Sequence, residues 1–135
     1  MILLLIPFCL LLASVACAAT PSAAQKPAGV ASNREAAAEI HATRLAYADA
    51  QKAFAVGDRA RALDLMNGAY LDHFERVEPW MDQVLGKEYR EKLENAISRD
   101  LRRKLRDNTA PDGEIAAQFP VALQALIEAE AKLPS

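Results

Sequence analysis

Between Leu63 and Met81 the apolar side chains Leu63, Met66, Tyr70, Phe74, Val77 and Met81 recur at steps of three and four residues. That spacing lines one face of an α-helix and does not fit a strand, so the segment has to bury a stripe against other helices. The pattern recurs along the chain. Ala36, Ile40, Thr43, Tyr47, Ala50 and Phe54 form an earlier stripe, and Tyr89, Leu93, Ile97, Leu101 and Leu105 a later one in which every step is four. Ile115, Phe119, Leu123, Leu126 and Leu133 form the last. Four amphipathic helices with short links cover their stripes most economically as a small antiparallel bundle, so the expected fold class is all-α. Composition agrees: 28 of 135 residues are alanine and aromatics make up 6%, which favours closely packed helices over a β-sandwich or barrel.

The helix boundaries carry their own signals. Ser32 followed by Glu35 forms a capping box at the start of the first stripe. Gly57 can close that helix in the left-handed conformation, and Asp58 can cap the next. Pro79 lacks a backbone donor and disfavours helical geometry at Glu78, which predicts a kink or restart there and a short piece to Leu85, stopped by Gly86. Residues 108–113 form the next break, and Pro120 either bends the last helix or opens its second half.

Ahead of the bundle, residues 1–12 are apolar and uncharged, about a dozen residues against the ~20 needed to span a bilayer. The small residues Ala16, Cys17 and Ala18 that follow suit a signal peptidase, so residues 1–18 are expected to be an export signal. Residues 19–33, rich in Pro, Ala and Ser, are expected to be a flexible linker, leaving 34–133 as one helical domain. Ser14-Val15-Ala16-Cys17 partly resembles a bacterial lipobox, which makes a lipid anchor at Cys17 the alternative to simple release. A periplasmic or secreted protein, or a membrane-anchored lipoprotein, is therefore expected, with no transmembrane span in the mature chain. Cys9 would leave with the signal, so the bundle has to stand without an internal disulfide.

A formal charge of −2 and a pI near 5.7 lack the footprint of a nucleic-acid binder. The sequence holds no nucleophile elbow, phosphate-binding glycine loop, haem-attachment motif, zinc cysteine cluster or H-E-x-x-H, so an enzyme is not expected. Two charge clusters remain. From Asp64 to Asp82 the acids Asp64, Asp72, Glu75, Glu78 and Asp82 face one base, Arg76. Glu75 and Glu78 are three apart, which puts both carboxylates on one helical face, and converging hard oxygens are what iron, manganese or calcium requires. The competing reading is a solvated acidic face. From Arg99 to Arg106 the balance reverses, with Arg99, Arg102, Arg103, Lys104 and Arg106 against Asp100, which suits a helix C-terminus or an anionic partner.

The string Gly57-Asp58, Ala62, Ala69-Tyr70, then Phe74-Glu75-Arg76-Val77-Glu78-Pro79 resembles the soluble extracytoplasmic helical region found ahead of the membrane domain in bacterial high-affinity iron permeases of the iron-transporter family. The resemblance covers residues 36–106. It implies an iron-binding role for Glu75 and Glu78, with Tyr70 and Phe74 as packing residues, and it implies iron as the cargo. Asp72, His73, Glu91 and Glu94 are additional candidate ligands. Arg90-Glu91-Lys92-Leu93-Glu94 also fits the letters of the family's pore motif, but it lies on a charged helix unsuited to a bilayer, so transport itself is not implied. The expectation is an exported accessory protein of iron uptake, partnered by an iron permease or another envelope protein. The alternative is a metal-free structural or interaction module of the envelope.

Overall fold

The computed structural model describes residues 29–133; the expected signal, Cys17 and most of the expected linker lie outside them. The described residues form four helices and no strand. α1 is Asn33–Ala55, α2 covers residues 59–84, α3 covers residues 87–106, and α4 is Asp112–Ala131. Contacts between neighbours give an up-down-up-down bundle. Asn33 meets Trp80 while Glu39 meets His73, so α1 and α2 run antiparallel. Arg59 reaches Leu105 and Tyr70 reaches Glu94, setting α2 against α3. Lys104 pairs with Glu114 while Lys132 lies over Tyr89, setting α3 against α4. His41 pairs with Glu130 and Phe54 stacks on Phe119, which closes α4 back onto α1.

The caps form at the residues the sequence predicts, but the capping box is only half made: the Glu35 carboxylate accepts the Ala31 backbone N–H at 2.8 Å, not that of Ser32. Ser32 Oγ accepts the Glu35 backbone N–H at 3.2 Å, Asp58 Oδ1 accepts that of Arg61 at 3.0 Å, and Gly57 takes φ 84° between α1 and α2. The end of the expected linker is not loose: the Val30 N–H donates to the Arg76 carbonyl at 3.2 Å, and its side chain packs on the core.

Pro79 does not break α2, and Pro120 neither splits α4 nor opens a new helix; both helices run through their prolines. Both prolines are exposed, so water can replace the backbone bond each one removes. The irregularity lies elsewhere, in a π-turn at Tyr70–Phe74 of α2 and another at Asn95–Arg99 of α3. Each accommodates about one residue more than an α-turn. In α2 the buried series Ala62, Met66, Ala69 therefore resumes at Phe74, five residues on, and continues to Val77 and Met81. In α3 the every-four spacing would turn about 40° off the face at each step of a regular helix, and the wider turn returns Leu101 and Leu105 to the core.

A π-turn disturbs the backbone hydrogen-bond ladder, and a neighbouring helix compensates in α3. The fully buried Tyr47 of α1 donates its hydroxyl to the Ile97 carbonyl at 2.8 Å across the bundle. Burial pushes the Tyr47 hydroxyl pKa up, against a smaller opposing effect of Arg102, which keeps it a donor. Among the described residues no helix is long and apolar enough to cross a membrane.

Candidate functional site

The two π-turns bring one polar cluster together between α2 and α3. Tyr70 is the first residue of the α2 π-turn, and Glu94 immediately precedes the α3 π-turn. The Tyr70 hydroxyl lies 3.0 Å from Glu78 Oε1 and 3.2 Å from Glu94 Oε1. A phenol has one proton to donate, so it serves one carboxylate at a time. The two carboxylates therefore compete for that one proton.

Arg90 supplies part of the compensation. Its Nε donates to Asp82 Oδ1 at 2.8 Å and its Nη1 to Glu94 Oε2 at 3.0 Å, and Glu91 stands 3.7 Å from Nη2. Glu94 is thus shared between Tyr70 and Arg90. The Tyr70 ring stacks on Phe74 with centroids 5.5 Å apart, and the Arg102 guanidinium lies 4.9 Å from its centre, a cation–π contact that orients the hydroxyl.

The electrostatics follow from this crowding. Burial pushes the Glu78 carboxyl above the usual carboxylate range; the Tyr70 hydrogen bond and Arg90 pull it down, while Glu94 and Glu75 push it further up. Burial likewise raises the Tyr70 phenol, aided by its two carboxylate acceptors, so Tyr70 remains protonated at neutral pH. A carboxyl whose pKa is higher in the folded than in the unfolded chain binds its proton more tightly when folded, so its contribution to stability falls as pH rises through the folded value. Acidification from pH 7 toward the unfolded value near 4.5 is therefore expected to stabilise the Glu78 region. Thermal melts across that window check this: the parent should gain more on acidification than Glu78→Gln, and parallel profiles would remove Glu78 as the cause.

Of the six candidate ligands, Glu75, Glu78 and Glu94 share this region, Glu75 through its charge on Glu78. Glu91 is exposed at its edge, beside Lys87 and Arg90. His73 turns to α1, where its Nδ1 lies 2.7 Å from Glu39 Oε2, and the other Glu39 oxygen pairs with Arg76. Asp72 is exposed and lines a groove between α1 and α2 with His73 and Asp64. Among the described residues no group of three or more His, Cys, Asp or Glu side chains is arranged to hold a metal ion.

The sequence reading placed Tyr70 only as packing and gave Arg90 no role in the cluster. A tyrosine where the stripe needs only an apolar ring is the one signal pointing to Tyr70. For Arg90 the four-residue spacing to Glu94 on α3 is a local signal, whereas its Asp82 partner comes from α2 and is not legible from spacing. No family model, curated protein or solved structure matches the chain.

Proposed function

We propose that the protein is an exported helical accessory of iron uptake, binding or presenting iron to a membrane permease through carboxylates of α2 and α3. The observation that carries the reading is the Tyr70 hydroxyl set between Glu78 and Glu94, three hard oxygens with one phenolic proton among them. An arriving cation offsets the burial that chiefly raises the Glu78 pKa and the Glu94 and Glu75 charges that add to it, and oxygen donors suit ferrous and ferric iron. Glu78 and Glu94 are the principal ligands in this reading, Glu75 is a further carboxylate whose charge acts on Glu78, and Tyr70 orients the pair. The resemblance to the extracytoplasmic region of iron permeases supplies the choice of metal.

Calorimetric titration of the mature chain with ferrous and ferric iron tests the proposal. The parent should bind, and Glu75→Gln with Glu78→Gln, or Glu94→Gln alone, should weaken binding at least about tenfold, the scale of one lost charged contact. Equal affinity in parent and variants would sink the ligand assignment.

A second reading, a metal-free structural or interaction module of the envelope, is favoured by Arg90. This cation already bonds Glu94 and Asp82 with its side chain only 13% exposed. That reading expects the melting temperature to be indifferent to iron.

A further inference from the structure

The cations between Arg99 and Arg106 fall into two groups. Arg102 lies over the Tyr70 ring and Lys104 pairs with Glu114 at 2.9 Å, so both have partners inside the bundle. Arg99, Arg103 and Arg106 are exposed, at steps of four and three along one outer face. Arg99 and Arg106 have no acidic partner among the described residues. Arg103 meets only Asp100, at 3.0 Å, with side chains 72% and 62% exposed, and such a pair contributes little and opens readily.

Completing the C-terminus of α3 does not account for the stripe. Three carbonyls of its last turn are already occupied: those of Lys104 and Leu105 accept from the Arg59 guanidinium of α2, and that of Arg103 from the Asp107 backbone N–H. Apart from the exposed Asp100 beside Arg103, the outer arginines form a positive strip without acidic partners among the described residues, on a chain whose formal charge is −2.

We propose that Arg99, Arg103 and Arg106 dock the bundle on an anionic phospholipid surface. Guanidinium groups bind phosphate oxygens in forked pairs, and exposed cations are drawn to a charged headgroup layer without inserting into it. The exposed large apolar side chains of the described residues, Leu45, Val56, Leu71, Val84, Val121 and Ile127, all lie off α3, so this face lacks the aromatic or aliphatic anchor that a protein partner grips. An electrostatic contact with a fluid layer of phosphates needs no such anchor.

Flotation of the full chain with vesicles tests this. One set is phosphatidylglycerol mixed with phosphatidylethanolamine, the other phosphatidylcholine alone, each at low and high salt. The apolar residues 1–12 contribute to both sets, so the ratio of anionic to neutral partitioning isolates the arginines. That ratio should exceed one at low salt, collapse at high salt as screening shortens, and fall about fivefold for each of Arg99→Gln, Arg103→Gln and Arg106→Gln. The triple variant should lose the preference on the order of a hundredfold. Because these side chains are exposed its melting temperature should hold, and the single variants carry the test if it does not. Equal partitioning of the parent overturns the proposal. So does a preference that survives the triple change, or one lost equally when the exposed Arg34 and Arg61, away from α3, are changed to Gln. Binding to an acidic protein but not to the vesicles overturns it in favour of a protein partner.

Discussion

Arg59→Ala is expected to lower unfolding stability by about 2–4 kcal/mol, roughly 10–20 °C in melting temperature. Gly57 and Asp58 turn the chain so that Arg59 becomes the first residue of α2, and from there its side chain spans to the end of α3. Nε donates to the Leu105 carbonyl at 3.2 Å, and Nη2 lies 2.9 Å from Lys104 O, 2.9 Å from Asp107 O and 3.3 Å from Ala110 O. Two protons on Nη2 face three acceptors, so these contacts share their strength. Asp112 stands 3.7 Å away and adds attraction at the start of α4. One guanidinium therefore closes α3, shapes the link and steadies the entry to α4. The side chain is 23% exposed, so water takes over some carbonyls when it is removed, which sets the lower figure. Arg59→Lys should recover only a minor part, because a single ammonium cannot fork across these acceptors. Urea denaturation of the three proteins decides it. A loss below about 1 kcal/mol for Arg59→Ala would show that water serves these carbonyls as well as the guanidinium does.

Much of the bundle was legible because helical periodicity is a local property. The stripes correctly placed Ile40, Tyr47, Met66, Phe74, Val77, Met81, Leu93, Ile97, Leu101, Leu105, Ile115, Phe119 and Leu126 in the core. They also placed Phe54, Leu63, Tyr70, Tyr89 and Leu123 there, and these pack at its edge. Ala53, Ala62, Ala69, Ala122 and Ala129 are buried instead. Small side chains let neighbouring helices approach closely, so the bulkier residues beside them are displaced outward, and a ranking by hydrophobicity alone misjudges both. The prolines do not interrupt their helices for a related reason: the helix-breaking rule assumes that the lost hydrogen bond goes unreplaced, whereas both sit on the solvent side.

The site was less legible. Spacing identified Glu75 and Glu78 as neighbours on one helix, but the meeting of Glu78 with Glu94 depends on how α2 and α3 align, which no single-helix pattern encodes. The every-four spacing of α3 did hold the clue to its π-turn, since it cannot track one face of a regular helix. His73 was drawn away by Glu39 of α1, a carboxylate outside the acidic run.

Phe74→Ala is the second large effect expected, about 3–5 kcal/mol, a substantial share of the 5–15 kcal/mol typical of a small domain. Phe74 is fully buried at the last position of the α2 π-turn. A regular helix continuing from Ala62, Met66 and Ala69 would present His73 next; the wider turn presents Phe74 instead, so burial of this ring offsets the irregular backbone. Removing the ring leaves a cavity and takes away the reason for the turn. It also takes the stacking surface from Tyr70, whose hydroxyl holds Glu78 and Glu94, so the geometry of that cluster should loosen along with the core. Phe74→Leu separates the two consequences. It keeps an apolar side chain in the space and should cost about 1–1.5 kcal/mol, yet it removes the aromatic partner of Tyr70. Chemical denaturation measures the first effect, and near-ultraviolet circular dichroism of the tyrosines measures the second. A Phe74→Ala protein as stable as the parent would mean that packing does not hold the π-turn. In that case the alignment of Tyr70 with the two glutamates would have to come from the polar contacts of Tyr70, Arg90 and Arg102 alone.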